Sequence, residues 1–332
     1  MMGRINLGVD EVNFAGHKAV VHKANTLVIQ INLISLIGVI VNDFWLHAVN
    51  LFSVSGNRVY LSDNLPVLRS LPDESIQLIY IDPPFNTGRE QERTTRTSKQ
   101  SETGTVGFAG KTYEQIAQSA LSYDDSFADY WEFLEPRLAE AKRLLTETGT
   151  LYLHLDYREA HYAKVLLDGL FGRDCFLNEI IWAYDYGGKS KSRWPSKHDT
   201  ILVYVKDPKN YYFDSKSVDR EPYMAPGLVT REKAELGKLP TDVWWHTIVS
   251  PTGKEKTGYP TQKPEGVLRR IIQASSREGD RVLDFFAGSG TTGVVAGALG
   301  RTFTLVDSSQ DAFETIRKRL SARNLEFEAH ER

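Results

Sequence analysis

Short apolar runs alternate with amphipathic stretches along most of the chain after residue 57. An apolar run without polar alternation is typical of a strand buried on both faces, and apolar residues three or four positions apart are typical of a helix with one buried face. The runs predict strands at 58–61, 78–81, 151–155, 179–184, 200–205, 281–287 and 302–306. The amphipathic stretches predict helices at 65–71, 127–145 and 158–171, and another that ends at Ala298. Strands that alternate with helices in this way predict an α/β fold with a mostly parallel sheet.

Three stretches depart from this regular pattern. Residues 1–52 are predicted to be an N-terminal extension without an assigned structure, ahead of a main domain at 53–325. Within that domain, residues 89–122 are polar and too long for a simple connection, and long loops of this kind are usually functional. Residues 183–258 contain a basic segment, the strand predicted at 200–205 and, at 207–258, a weakly periodic stretch that is rich in aromatic side chains. We therefore predict that both are recognition insertions.

Neither membrane attachment nor secretion is predicted. The apolar stretch 27–41 is interrupted by Gln30, Asn32 and Ser35, whereas a spanning helix needs about 20 mostly apolar residues. No cleavable leader is evident. The single cysteine, Cys175, excludes an internal disulfide and a multi-cysteine metal site, which fits a reducing compartment. These features predict a cytoplasmic protein without a bound metal.

The first candidate for chemistry follows the apolar run 78–81. Asp82, Pro83, Pro84 and Phe85 stand directly after it, and two consecutive prolines hold the backbone stiffly at the end of the strand. The carboxylate and a rigid carbonyl together accept the two hydrogens of an amino group, while the aromatic ring stacks on a planar ring. The set therefore suits a planar group that bears an NH₂, although an ordinary turn at the end of a strand has the same sequence features.

A second candidate lies near the C-terminus. The apolar run 281–287 leads into a glycine-rich segment, 288–293, and a helix, which is typical of a loop that holds a nucleotide-like ligand at a helix N-terminus. Asp307 stands nineteen residues beyond Gly288, close to the spacing at which an acid binds a ribose hydroxyl. The same features fit a dinucleotide-binding dehydrogenase, but only 25 residues follow Asp307. The partner strands must therefore come earlier, at the acids Asp63 and Asp82.

A third candidate is a local basic segment. The net charge of −3 gives no global signature of nucleic-acid binding, so any such contact must come from a patch. Between the strands predicted at 179–184 and 200–205, four cations accompany a tryptophan: Lys189, Lys191, Arg193 and Lys197. They are spaced to follow a phosphate backbone, although a charged run of this kind is also typical of a solvated loop. Asp63 has two readings as well, as a ligand-binding acid or as the cap of the next helix.

The pairing of the first two motifs resembles a known family. Asp-Pro-Pro-Phe at 82–85, followed about 200 residues later by Phe-Ala-Gly-Ser-Gly at 286–290, is similar to the amino-methylating (N6-adenine or N4-cytosine) DNA methyltransferases in which the catalytic motif precedes the cofactor motif. The resemblance implies a Rossmann-like fold with a mostly parallel, seven-stranded sheet and a permuted motif order. It implies S-adenosyl-L-methionine as cofactor and double-stranded DNA as partner, with the domain 53–325 as the catalytic unit and the insertions as DNA-recognition segments.

The resemblance also assigns roles to individual residues. It implies that Asp82, Pro83, Pro84 and Phe85 hold a base that is flipped out of the duplex. It implies a cofactor site formed by Asp63, Thr261, Gln262, Lys263, Asp284, Phe286, Ala287, Gly288, Ser289, Gly290, Thr291, Thr292 and Asp307, with Asp307 on the ribose. Lys189, Lys191, Arg193 and Lys197 are then candidates for DNA contact.

The first residue of the catalytic motif bears on the target base. Members that methylate adenine N6 typically begin the motif with Asp, and many that methylate cytosine N4 begin it with Ser, so Asp82 favours adenine. Phe85 stands where tyrosine is commoner and keeps the aromatic face. Modification methylases of restriction-modification systems share this motif, which is compatible with a homodimer and with an accompanying restriction endonuclease. The alternatives are an N4-cytosine methyltransferase, an NAD-binding dehydrogenase and a non-catalytic DNA-binding protein.

Overall fold

The computed structural model describes the main domain with a few gaps. Described are residues 56–85, 130–185, 187, 189–250 and 252–331, together with the backbone alone of 91–106 and 112–123. Gly56–Arg332 form one compact unit. The predicted extension 1–52 lies outside the described residues.

The described residues form strands and helices that alternate as the apolar pattern predicts. In chain order they are β1 (Arg58–Leu61), α1 (Asn64–Ser70), β2 (Ile76–Ile81), β3 (Gln91–Val106), β4 (Thr112–Tyr123), α2 (Tyr130–Leu144), β5 (Leu145–Leu155), α3 (Ala160–Phe171), β6 (Phe176–Ala183), β7 (His198–Val205), α4 (Arg231–Leu236), β8 (Val243–Trp245), α5 (Glu265–Ser275), β9 (Arg281–Asp284), α6 (Thr291–Ala298), β10 (Thr302–Asp307), α7 (Gln310–Ala322) and β11 (Glu328–Glu331).

The central sheet has nine strands in the order β11-β1-β10-β9-β2-β5-β7-β6-β8. All neighbouring pairs are parallel except β5–β7 and β7–β6, so β7 alone among these strands runs in the opposite direction. The expectation of seven strands is therefore wrong, while the mostly parallel sheet is confirmed. The two additional strands are β8, three residues within an irregular segment, and β11, whose residues Glu-Ala-His-Glu form no apolar run; both lie at the edges of the sheet.

Helices cover both faces of the sheet, which explains the continuous apolar runs. On one face, Ile79 and Ile81 of β2 pack with buried side chains of α1, α2 and α3. On the other face, Leu78 and Tyr80 pack with buried side chains of α5, α6 and α7. Successive residues of a strand point to opposite faces, so a strand between two helical layers must be apolar at every position. All six residues of β2 are buried accordingly.

The predicted insertions contain their own secondary structure. Within 89–122, β3 and β4 pair as an antiparallel two-stranded sheet, so the described part is a hairpin rather than an irregular loop. Within 183–258, β7 belongs to the main sheet between β5 and β6, so only the residues around it are insertions; α4 lies among turns, and β8 adds to the edge of the sheet beside β6. Among the described residues, the helices all fall short of the length and apolar character that crossing a membrane requires.

Candidate active site

Four acids meet at one edge of the sheet. Asp63 follows β1, Asp82 follows β2, and Asp284 and Asp307 end β9 and β10. These four strands are neighbours and parallel, so their carboxyl ends share the edge at which open α/β sheets bind ligands. A cavity of about 450 Å³ opens there, and all four acids line it. The sheet order thus brings together residues that are up to 244 positions apart.

The same cavity unites the two sequence motifs. All four residues of the Asp82–Phe85 motif line it, and so do the residues of the implied cofactor set except Gln262 and Gly290. The side chain of Gln262 instead accepts from the backbone N–H of Thr257 and donates to the carbonyl of Glu255, at 2.8 and 2.6 Å. Gln262 therefore shapes the segment that carries Thr261 and Lys263.

Glycine is required in the loop between β9 and α6. Gly288 and Gly290 have φ angles of +50° and +73°, in the left-handed region that side chains rarely adopt. A Cβ on Gly290 would also lie 2.9 Å from Cγ1 of Ile316 in α7. The backbone N–H of Gly288 donates to Oδ2 of Asp307 at 2.8 Å, which joins the loop to the end of β10. The loop is thereby held against the cavity.

Asp284 is a buried acid with an unusual proton affinity. Burial raises the pKa of Asp284 to about 7, and the negative charges of Asp82 and Asp307 act in the same direction. Hydrogen bonds oppose this shift: Oδ2 accepts from the hydroxyl of Thr292 at 2.6 Å and Oδ1 from the backbone N–H of Phe286 at 3.0 Å. A cation placed beside this carboxyl group would favour its ionised form.

Asp307 is adapted to hold a polar ligand at the end of β10. Burial raises the pKa of Asp307, while hydrogen bonds from backbone N–H groups, including those of Gly288 and Ser309, lower it. Its carboxylate is thus held in one orientation by the loops on both sides. Such an acid is suited to accept hydrogen bonds from the hydroxyls of a ribose.

Of the two interpretations of Asp63, the helix cap is confirmed, and the ligand-binding acid stays a prediction for a residue that lines the cavity. Its Oδ1 accepts from the backbone N–H of Leu65 at 2.9 Å, so it caps helix α1. It also lines the cavity, and its Oδ2 binds Arg137 at 2.9 Å. Arg137, whose pKa burial lowers, lies 3.9 Å above the ring of Phe133, another lining residue. The cap and the cavity-lining acid are therefore the same group.

Asp82 and Phe85 line one part of the cavity together with Lys263. Oδ2 of Asp82 forms an ion pair with Nζ of Lys263, which also lies 5.2 Å from the centre of the Phe85 ring. Oδ1 of Asp82 is buried and has no hydrogen-bond partner among the described residues. A buried acceptor without a donor is costly, so this oxygen is ready to accept an N–H from a ligand.

A histidine that the sequence analysis missed lies behind Asp82. His154 of β5 is fully buried, and its Nδ1 lies 2.8 Å from the hydroxyl of Tyr80 and 4.0 Å from Oδ1 of Asp82. Its Nε2 lies 3.2 Å from Oδ2 of Asp199 in β7. Burial raises the pKa of Tyr80, as do the charges of Asp82, Asp284 and Asp199, so its hydroxyl keeps its proton and donates to His154. Nε2–H of His154 then donates to Asp199.

A second missed residue braces the glycine loop. Arg319 of α7 is 8% exposed and donates to the carbonyl of Ser289 at 3.2 Å and to the hydroxyl of Thr291 at 2.8 Å. Its other nitrogen pairs with Glu265 of α5 at 3.0 Å. Helical spacing places Arg319 on the apolar face of α7, and a cation at such a position is the signal that marks it in the sequence.

The four cations of the basic segment lie apart from the cavity. Lys189, Lys191 and Arg193 are exposed on the loop between β6 and β7. Lys197 donates from Nζ to the carbonyl of Gly187 at 2.9 Å and so closes the base of the loop. Because β6 is parallel to β8 and runs in the same direction as β5 and β2, this loop leaves the sheet at the edge that carries Asp82.

The residues present fit a nucleoside cofactor with a cationic amino-acid part. Gly288 lines the cavity without a side chain of its own, and a cation beside Asp284 would favour the ionised form of this buried acid. Asp307 offers acceptors for a ribose. Together with the partnerless Oδ1 of Asp82, these features define an enzyme that holds a nucleoside cofactor beside an amino-bearing planar substrate.

Comparison with known proteins gives the family. A family model described as DNA methylase, of the N6/N4 type, matches residues 76–318. The Type II methyltransferase M.HpaI of Haemophilus parainfluenzae is 31% identical over 266 residues, which cover 80% of this chain and 74% of that protein. The DNA adenine methyltransferase YhdJ of Escherichia coli K12 is 31% identical over 277 residues, covering 81% and 84%. The chain belongs to the N6/N4 DNA methylase family.

A solved structure agrees in fold. The M1.HpyAVI complex with S-adenosylmethionine shares 22% identity and a TM-score of 0.51, and the match covers 79% of this chain and 98% of that one. The protein is a DNA methyltransferase, and the methyl donor of its family is S-adenosylmethionine. Membership of this family does not support the two alternatives of an NAD-binding dehydrogenase and a non-catalytic DNA-binding protein.

Proposed function

We propose that this enzyme transfers a methyl group from S-adenosylmethionine to the exocyclic N6 of an adenine that is flipped out of double-stranded DNA at a specific site. The observation that carries the proposal is the buried Oδ1 of Asp82, which has no donor among the described residues and lies beside the ring of Phe85. An acidic first residue of the motif favours adenine over cytosine. The relative YhdJ of Escherichia coli, which is 31% identical, is a DNA adenine methyltransferase and supports the same choice.

Each residue of the motif has a defined part in this reaction. A base inside the duplex cannot reach the cavity, so it must be extruded at a cost of a few kcal/mol. Stacking on Phe85 offsets this by about 1–3 kcal/mol. The Asp82 carboxylate and the rigid carbonyl of Pro83 accept the two N–H bonds of the amino group, which directs its lone pair away from the ring. Asp82 acts as an acceptor and does not form a covalent bond.

The cofactor pocket holds its ligand by charge and by backbone. Asp284 pairs with the amino-acid part, Asp307 binds the ribose and the loop Phe286–Gly290 cradles the methionine part, while Asp63 lies at the adenine end. S-adenosylmethionine, when bound, supplies an activated methyl group. The residues of the chain supply orientation, which accounts for much of the rate when reacting atoms are held about 3–3.5 Å apart.

The partners beyond DNA follow as proposals. Lys189, Lys191, Arg193 and Lys197 contact the phosphate backbone, and the segments 89–122 and 183–258 contribute to recognition of the sequence. The enzyme acts in the cytoplasm, and its modification of DNA is compatible with a homodimer and with a restriction endonuclease partner. The segment 1–52 is an extension outside the catalytic domain at 53–325.

The test combines product analysis with one substitution. The purified enzyme is incubated with unmethylated genomic DNA and S-adenosylmethionine carrying a labelled methyl group, and the DNA is then digested to nucleosides. We expect the label in N6-methyladenine; label in N4-methylcytosine alone would overturn the choice of base. Asp82→Ala should abolish transfer while cofactor binding, measured by calorimetry, persists. Full transfer by Asp82→Ala with an intact cofactor site would remove the proposed role of the carboxylate.

A further inference from the structure

The loop between β6 and β7 is firmly closed at its base. The backbone N–H of Tyr184 donates to the carbonyl of Lys197 at 2.9 Å, and Nζ of Lys197 donates to the carbonyl of Gly187 at the same distance. Ten residues beyond Tyr184, the described part of the loop carries Trp194. The two ends of the loop, which we call its root, are therefore held together.

The root of the loop is connected to the catalytic acid through side chains. The hydroxyl of Tyr184 donates to Oδ1 of Asp199 at 3.0 Å, and Oδ2 of Asp199 lies 3.2 Å from Nε2 of His154. Nδ1 of His154 lies 4.0 Å from Oδ1 of Asp82. Although burial opposes it, the hydrogen bond from His154 lowers the pKa of Asp199, so this acid is ionised and accepts both bonds. The loop thus leaves the sheet three side chains away from the atom that accepts the amino group.

Trp194 is the most exposed tryptophan among the described residues. Its relative exposure is 94%, compared with 75% for Trp245 and with 2% and 7% for Trp182 and Trp244, in the strands beside the loop. Arg193 and Pro195 on either side of it are exposed as well. An indole that is exposed to water buries no apolar surface and so does not stabilise the fold. Such exposure is typical of an aromatic side chain that stacks on a partner.

The charge around Trp194 identifies the partner as DNA. Lys189, Lys191 and Arg193 precede it within five residues, and cations with this spacing bind phosphates without regard to sequence. An aromatic ring that stands among such cations in the chain is within reach of the bases of a duplex whose phosphates the cations hold. Proteins that distort DNA insert side chains between bases in this manner.

We propose that Trp194 enters the duplex beside the target base and stacks in the space that the base leaves when it is flipped out. The proposal rests on the proposed function, because only an enzyme that extrudes its target creates such a space. Extrusion breaks the stacking of the target on both neighbours, and an indole in the gap restores stacking for those neighbours. Trp194 thereby lowers the cost of extrusion and acts as a positioning residue, away from the reacting atoms.

The test varies the cost of extrusion in the DNA. Two duplexes carry the site that the wild-type enzyme methylates, one with the target adenine paired to thymine and the other with it opposite an abasic position, where extrusion is easier. Methyl transfer is measured for Trp194→Ala, Trp194→Phe and, as a matched neighbour, Arg193→Ala. We expect Trp194→Ala to lower kcat/KM about tenfold or more on the paired duplex and much less on the abasic one. Trp194→Phe, which keeps an aromatic ring, should recover most of the loss.

The control separates extrusion from ordinary binding. Arg193→Ala should lower kcat/KM by the same factor on both duplexes, and the loss should shrink as salt rises, because salt weakens the phosphate contact that only the wild-type enzyme makes. An equal loss on both duplexes for Trp194→Ala, or no loss on either, would overturn the role of Trp194 while the wild-type activity upholds the proposed function. Absence of transfer by the wild-type enzyme on any DNA would overturn the proposed function and this role together. Thermal melting confirms that the variants fold, since Trp194 makes little contact with the protein.

Discussion

We predict that the buried carboxyl group of Asp284 makes cofactor binding and stability depend on pH in opposite directions. Burial raises its pKa from the ordinary 3.8 to about 7. This change corresponds to about 4 kcal/mol in favour of the protonated form in the folded protein. In the unfolded chain this carboxyl group loses its proton near pH 4, whereas in the folded protein it does so near pH 7. The free energy of unfolding of the free enzyme should therefore fall as the pH rises from about 4 to about 7 and then level off.

Cofactor binding should follow the opposite trend. In the proposed function, the cationic amino group of S-adenosylmethionine pairs with an ionised Asp284, and below pH 7 most Asp284 carboxyl groups of the free enzyme are protonated. The affinity should therefore weaken about tenfold for each pH unit below 7, to about 100-fold at pH 5. About 0.9 proton per site should be released on binding at pH 6.

Titration calorimetry in two buffers of different ionisation enthalpy measures both the affinity and the number of protons released. Asp284→Asn keeps an oxygen that can accept the N–H of Phe286 but cannot ionise. We expect this variant to bind more weakly at pH 8, with no pH dependence from this site, and to be more stable without cofactor by about 2–4 kcal/mol at pH 8. A pH-independent affinity of the wild-type enzyme, or the same slope in Asp284→Asn, would refute the reasoning.

Two further predictions concern the frame of the pocket, and urea unfolding checks both. A Cβ on Gly293 would lie 2.6 Å from Cδ1 of Leu305, so Gly293→Ala should destabilise the enzyme by about 1–3 kcal/mol. The control is Gly169→Ala on helix α3, where the added methyl group meets open space; it should stabilise the enzyme by up to about 1 kcal/mol. Arg319→Ala removes hydrogen-bond donors from the glycine loop, so it should lower the free energy of unfolding by about 2–4 kcal/mol and weaken cofactor binding. The control is Arg317→Ala on the same helix; because Arg317 is half-exposed, this variant should change the free energy of unfolding by less than about 0.5 kcal/mol. If the two variants of a pair had equal effects on stability, the structural role assigned to Gly293 or to Arg319 would be wrong.

The elements that form the pocket were predictable because their constraints are local. The run 78–81 is apolar at every position, as a strand between two helical layers must be, and Asp82 with its prolines marks its end. The glycine segment after β9 is equally local, since only glycine adopts the φ angles at 288 and 290 without strain. The predicted strand 281–287 is nevertheless too long. The strand ends at Asp284, because the backbone N–H of Phe286 donates to the carboxylate of Asp284 and not to a neighbouring strand.

Other features carry weaker local signals. Helix α5 has buried apolar residues at helical spacing, Val267, Leu268, Ile271 and Ile272, yet it lies directly after an irregular aromatic-rich segment and was not predicted. Strand β11 reads Glu-Ala-His-Glu and has no apolar run, because it lies at the edge of the sheet. It forms through backbone hydrogen bonds to β1, which any sequence can make.

The sequence by itself determined the chemistry of this protein: an acid and an aromatic ring on a rigid strand end, a glycine loop before a helix, and their order along the chain. These depend on backbone restrictions and residue types that act within a few positions. Only the tertiary structure decided which groups surround them. His154 stands in an apolar run, and its partner Asp199 is 45 positions away, so the contact exists only because β7 pairs with β5. The ion pair of Asp82 with Lys263 and the root of the Trp194 loop depend in the same way on strand order, which side-chain patterns along one strand do not encode.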